Sequence, residues 1–261
     1  MREKIIIYMS VLGGIAVIFI ALPIINVFAS VGIGGLIEAM KDKNAINAIL
    51  ASFEAAFFAT LLSLIFGVPL AYILARKDFP GKSIIESIID LPVVIPHTVA
   101  GIALLMIFGS NGLIGAPLEE FGVKIVDSML GITIAMMFVS MPFLINYARE
   151  GFEAVDPRLE YIAMSLGATK TKAIVSITLP LSMRSIFVGS LMAWARAISE
   201  FGAVVVIAYF PLTAPSYIYS QYLQYGLEKS APVAAFLLFI CILIFISLRI
   251  ASTRWKRYDK D

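Results

Sequence analysis

Apolar residues run along this chain in blocks too long for a soluble core. No Asp, Glu, Lys or Arg interrupts residues 5–37, 91–118, 128–148 or 230–248. A hydrocarbon layer about 30 Å thick is crossed by roughly 20 helical residues at 1.5 Å each, so each block is long enough to span. Two further blocks carry a few charges: one from about Ile46 to Ala75 with Glu54 near its start, and one from about Leu181 to Tyr209 with Arg196 and Glu200 inside it. In lipid the backbone must satisfy its own hydrogen bonds within the segment, so the blocks are expected to be helices. The pattern predicts six of them, near 5–30, 46–75, 86–109, 129–151, 182–210 and 231–251. The first follows Arg2 and Lys4 as a signal peptide would, but its apolar run exceeds the 7–15 residues of a signal core. It is read as a retained span. The expectation is an all-α membrane protein, a single transmembrane domain over residues 1–261.

Composition agrees, with 60% hydrophobic and 15% charged residues and a mean hydropathy of +0.94, against about 25% charged for soluble domains. The amino terminus, the 76–90 and 149–184 connections and the tail from Arg249 hold 15 of the 20 Lys and Arg residues. The other connections hold only Lys41, Lys43, Lys124 and Lys229. By the positive-inside rule both termini face the cytoplasm. A net charge of +2 carries no implication of nucleic-acid binding, because the basic residues flank spans. The single Cys241 excludes an internal disulfide, and the single His97 excludes a histidine-cluster metal site. With no phosphate-binding glycine loop and no nucleophile–base set, the chain is read as carrying no catalytic residue, metal or cofactor.

The longest cytoplasmic connection, about 150–180, has its own folding signals. Asp156 is a good N-cap and Pro157 a good first helical residue. Leu159, Ile162, Ala163 and Leu166 recur at i, i+3, i+4 and i+7, one apolar face of a short helix. Gly167 stands where a left-handed residue ends a helix. Thr169 starts a second short helix through Ile177, which Pro180 is expected to stop. Such an apolar face can lie on headgroups, pack under its own bundle or enter a groove on a partner. Periodicity alone favours the first two.

The spacing of Ala163, Gly167, Ile177, Leu179 and Pro180 resembles the "EAA" loop of the permeases of ATP-driven bacterial and archaeal importers. Tyr161 and Ile162 stand where that family usually has Glu and Ala, and Glu160 matches a second acidic residue common there. The likeness extends from about Ile46 onward. Gly67-Val-Pro69-Leu70-Ala71-Tyr72, Ala75-Arg76, Phe79-Pro80-Gly81, Leu91-Pro92, Pro96, Gly112 and Gly115 resemble the molybdate and sulfate permease branch. So does Trp194-Ala-Arg196-Ala-Ile-Ser199-Glu200-Phe201-Gly202-Ala203, with Ser199 in place of glycine.

The resemblance implies a transmembrane permease subunit of an oxyanion importer, for molybdate or tungstate, with sulfate or thiosulfate as the alternative. It implies a homodimer, two copies of a separate ATPase holding ATP and Mg, and an extracytoplasmic binding protein. Leu159, Glu160, Ala163, Leu166, Gly167, Ala168 and Pro180 would form the coupling element, which in the family fits a cleft of the ATPase. A rival of another class is an ATP-independent transporter or channel.

Four residues inside the spans are candidates for the path. Arg196 and Glu200 lie four apart and can pair on one helix face. Either they shape an anion path or they lock the fifth span in place, and Ser199 and Gly202, which permit close helix approach, favour the lock. Pro96 disfavours helix at Ile95, making either a broken helix that lines a path or a kink. His97 beside it is read as a satisfied polar group.

Overall fold

The computed structural model describes residues 2–258, with side chains over 6–247. The side chains of Arg2, Lys4 and the basic tail from Arg249 therefore lie outside the described residues. Twelve helices follow in order: α1 (Arg2–Ala39), α2 (Lys43–Arg76), α3 (Lys82–Val94), α4 (His97–Phe108), α5 (Gly115–Glu120), α6 (Met129–Glu153), α7 (Arg158–Ser165), α8 (Lys170–Ala173), α9 (Leu179–Ile198), α10 (Val204–Ile207), α11 (Ala214–Tyr225) and α12 (Leu227–Tyr258), with a π-helical turn at Ile174–Thr178. Among the described residues five helical stretches are long and apolar enough to cross a bilayer, or six when the bent pair α3–α4 is counted as one broken span.

The breaks fall where backbone chemistry places them. α1 leaves helical geometry at Gly32, φ +61°, close to the expected end of the first span. α3 and α4 meet at 114° across extended Ile95 and Pro96, so the proline interrupts the helix rather than bending it. One expectation is corrected. Pro180 does not stop the second loop helix, and helical structure continues from Lys170 through the π turn into α9. A proline ring normally collides with the carbonyl four residues earlier. The wider π turn, closed by Leu179 N–H donating to the Ile174 carbonyl, lies directly before Pro180, where that carbonyl would otherwise be met. The fifth span consequently starts twelve residues earlier than expected and ends at Ile198.

The chain divides into two compact units. In one, residues up to Ile49 and from Tyr217 onward, α1 lies along α12. Tyr217 donates to Asp42 Oδ2 at 2.7 Å and Lys229 pairs with Glu38 at 3.2 Å. The apolar side chains of α1, such as Phe19 and Leu22, are exposed, as lipid permits.

The other unit, Leu50–Ser216, is built around α6. Its buried face, including Ile132, Met136, Val139 and Leu144, packs chiefly on α9. Ser182 donates to the Gly151 carbonyl at 3.1 Å, and a Cβ at Gly189 would stand 2.7 Å from Tyr147 Cβ. Ala71 and Leu74 of α2, Ile145, Ala148 and Phe152 of α6, and Ile186 of α9 close a core at one end of this unit. Small residues let helices approach where lipid supplies no hydrophobic drive. Gly189→Val is therefore expected to lower the detergent melting midpoint by the equivalent of about 1–3 kcal/mol, the usual cost of overpacking. Gly34→Ala, whose added methyl meets open space, should leave the midpoint unchanged or raised.

Candidate functional site

The 150–180 loop folds against its unit as a short helix with two faces. Asp156 Oδ1 accepts from Arg158 N–H at 2.9 Å, and Pro157 occupies the cap, one residue later in the chain than the expected Asp156. At the other end Gly167 has φ +94°. Ala168 N–H donates to the Ala163 carbonyl and Gly167 N–H to that of Met164, both at 3.0 Å, the paired bonds of a Schellman ending. Thr169 Oγ1 accepts from Lys172 N–H and starts α8.

Leu159, Tyr161, Ile162 and Leu166 are exposed, Leu166 to 84%, while Ala163 and Ala168 are half-buried. Pro180, grouped with them by sequence, lies in the first turn of α9. Glu160 faces the opposite way. It is buried, with 6% exposure, and both carboxylate oxygens are occupied. Oε1 accepts from Thr178 Oγ1 at 2.6 Å and Arg76 Nε at 3.1 Å, and Oε2 from Tyr72 O–H at 2.9 Å. Arg76 also donates from Nη2 to the Val155 carbonyl at 2.9 Å, and the Tyr72 ring stands edge-on to Phe152 at 5.5 Å. Burial pushes the Glu160 carboxyl upward, but the bonds from Thr178, Tyr72 and Arg76, with the Arg76 charge, outweigh it and hold the group below its ordinary 4.5.

Tyr72, Arg76 and Thr178 were not singled out by sequence as partners of this loop. Arg76 read as an orientation anchor, and Tyr72 and Thr178 sit inside apolar runs. The available signal was a carboxylate beside an apolar helical face, two residues from an Arg158 that stays exposed.

The second polar cluster joins the two breaks of this unit. Glu200, fully buried just beyond α9, accepts from Arg196 Nη2 at 2.8 Å and lies 2.7 Å from His97 Nδ1 at the start of α4. Its other oxygen accepts from Ala203 N–H at 2.8 Å. In the tautomer protonated on Nδ1, His97 donates to the carboxylate. Arg196 Nη2 also lies 2.8 and 3.0 Å from the two ring nitrogens, whose lone-pair directions diverge, so it rests against the ring rather than donating to both. A Cβ at Gly202 would stand 2.8 Å from His97 Cβ, so glycine lets the two breaks meet. The geometry brings Arg196, Glu200 and His97 together, with Pro96 setting the break that delivers the histidine.

A cavity of about 230 Å³ between α3 and α6, lined mainly by Val93, Val94, Pro142, Phe143 and Tyr147 with the Asn146–Asp90 hydrogen bond at its side, holds none of the expected site residues. Among the described residues no three His, Cys, Asp or Glu side chains converge to hold a metal ion.

Residues 67–257, which contain both clusters, match the family described as the binding-protein-dependent transport system inner membrane component. The chain belongs to that family. It is a multi-pass membrane protein and a transport permease component. It is 44% identical over 250 residues to the molybdate/tungstate transport system permease protein of Pyrococcus abyssi, covering 95% of this chain and 96% of the relative. It is 43% identical over 252 residues to the protein of the same description from Thermococcus kodakarensis, covering 95% and 97%. Its fold is shared with a solved bacterial ABC transporter involved in import of the acidic polysaccharide alginate, at a TM-score of 0.72 and 19% identity over 97% of this chain and 96% of that one.

Two measurements test this family member's buried carboxylates. Glu200→Gln leaves Arg196 without its counter-ion, and breaking such a pair costs on the order of 3 kcal/mol. Yield and melting midpoint of the assembled protein are expected to fall, with anion preference unchanged. Normal assembly with an altered preference would overturn the locking role. For Glu160, a depressed folded-state pKa means stability that is fully present above the ordinary 4.5 and lost as pH falls through the lower folded value. The difference in midpoint between wild type and Glu160→Gln should therefore narrow as detergent solutions are acidified below pH 4.5.

Proposed function

We propose that this chain is the transmembrane permease subunit of an ATP-driven, binding-protein-dependent oxyanion importer, with molybdate and tungstate as its substrates. The substrate reading is supported by near full-length similarity to two relatives that bear that description. The coupling reading rests on one observation: α7 presents Leu159, Tyr161, Ile162 and Leu166 outward while its own unit supplies nothing to cover them. The ATPase is the partner that fits this apolar tip, and the basic bias of the connections on that side of the chain supports a cytoplasmic position for it and for both termini.

In this reading two copies of the chain enclose the path. Two ATPase subunits, which hold ATP and Mg, dock on the α7 helices, and an extracytoplasmic binding protein delivers the anion. Closure of the ATPase pair moves the α7 helices and switches access from inside to outside. Hydrolysis takes place on the partner, and this chain contributes shape and movement. Arg196, Glu200 and His97 hold the fifth span to the broken third span, and Pro96 sets the angle at which they meet.

The deciding experiment reconstitutes the chain with its neighbouring ATPase in proteoliposomes and adds binding protein with molybdate, tungstate or sulfate. ATPase stimulation by loaded binding protein, strongest with molybdate or tungstate, is the expected result. Strongest stimulation with sulfate would reassign the substrate, and uptake driven by an ion gradient without any ATPase partner would overturn the reading. A second test uses Gly167. No neighbour opposes a side chain there, so Gly167→Val acts through backbone strain at φ +94°, about 1–2 kcal/mol for a left-handed L-residue. Co-purification with the ATPase, or transport per ATP, should fall. An intact, fully coupled complex would count against the role of the loop.

A further inference from the structure

The residues around Glu160 carry an inference that rests on the permease reading and goes further into it. We propose that Glu160 is a positioning residue, the joint through which movement of α7 is delivered to α2 and α9 together, rather than a contact for the ATPase.

By itself α7 is weak. It has eight residues, and isolated helices shorter than about 12–15 residues are marginal in water. Its chain connections are a short turn after Glu153 and the Gly167 turn. A push on its exposed apolar face would rotate it about those turns unless its back were fastened. Only Glu160 fastens it with charge among the residues of α7, since Arg158 is exposed. Its two oxygens reach three donors on two long helical stretches: Tyr72 and Arg76 on α2, and Thr178 at the end of the π turn that runs into α9.

The fastening is firm for a physical reason. Hydrogen bonds to a buried charged group are stronger than neutral ones, and breaking one leaves a desolvated polar atom. Moving α7 without α2 would break the Tyr72 and Arg76 bonds, and moving it without α9 would break the bond to Thr178. The Arg76 bond to the Val155 carbonyl extends the grip to the turn that leads into α7. The π turn has a part in this. Its additional residue offsets the angular register of the helix before Pro180 and ends on fully buried Thr178, whose hydroxyl meets the carboxylate. π turns inside helices recur at functional positions.

The test removes donors behind α7 and leaves its exposed face untouched. Thr178→Val and Tyr72→Phe, singly and together, are reconstituted with the ATPase. Association is measured first, then anion transported per ATP hydrolysed. The expected result is association like wild type, with transport per ATP reduced about fivefold or more, the lower end of typical coupling effects between sites. Thr178→Ser, which restores the hydroxyl, should restore the ratio. An unchanged ratio in the double variant would overturn the joint. So would loss of association in step with transport, because Glu160 would then only shape the docking face. Tyr72→Phe keeps the ion pair and the threonine bond and still reports if the double variant fails to assemble. Wild-type chain that binds no ATPase at all would instead remove the permease reading itself, an outcome distinct from an intact complex with unaltered coupling.

Discussion

A backbone amide in hydrocarbon has no water to fall back on, and this fold is organised around where that condition is met and where it is relaxed. Continuous helix meets it without help, which is why α2 and α6 run for 34 and 25 residues with proline accommodated inside. Each interruption needs another source of hydrogen bonds or geometry. Beyond α9 the Glu200 carboxylate supplies one by accepting from Ala203 N–H. Before Pro180 the π turn supplies another by lengthening the hydrogen-bond step. These two departures from regular helix are thus stitched by identifiable groups.

Two buried glutamates each join distant segments, by the same physical means at different places. Each is neutralised by one arginine and accepts or shares further bonds, so that neither oxygen is left bare. Glu200 has its arginine four residues away on the same helix face and draws the histidine of the broken third span toward it. Glu160 has no local counter-ion and draws Arg76 from 84 residues away. The first arrangement fixes the meeting of two breaks, and the second secures a mobile-sized element to long ones. Low dielectric makes both arrangements strong when complete and costly when partial.

Much of this was legible from residues alone. Charge-free blocks revealed the spans because the bilayer imposes a length and a polarity on them. Gly167 was readable because few residues other than glycine tolerate a left-handed helix ending, and Arg196 with Glu200 because their spacing is local. Pro180 misled because the rule that proline ends a helix assumes ordinary helical register upstream, and the π turn changes that register. Glu160 was grouped with the coupling residues because it matches an acidic residue of the family's loop, and such a match does not tell which face of the helix its own bundle covers. Its donors come from distant segments, and nothing in the local pattern around Tyr72 or Thr178 pairs them with it.

The four-residue clasp of Tyr72, Arg76, Glu160 and Thr178 also bears on how such a chain can change over time. A loop cut at residues 150 and 170 and exchanged with that of another permease would bring an acidic or neutral residue to a socket shaped for Glu160, while the socket stayed behind in the host. The heritable unit is therefore larger than the loop. It includes two positions near the end of α2 and one in the π turn, so drift at any of them is constrained by the other three even though they are scattered over more than a hundred residues of chain.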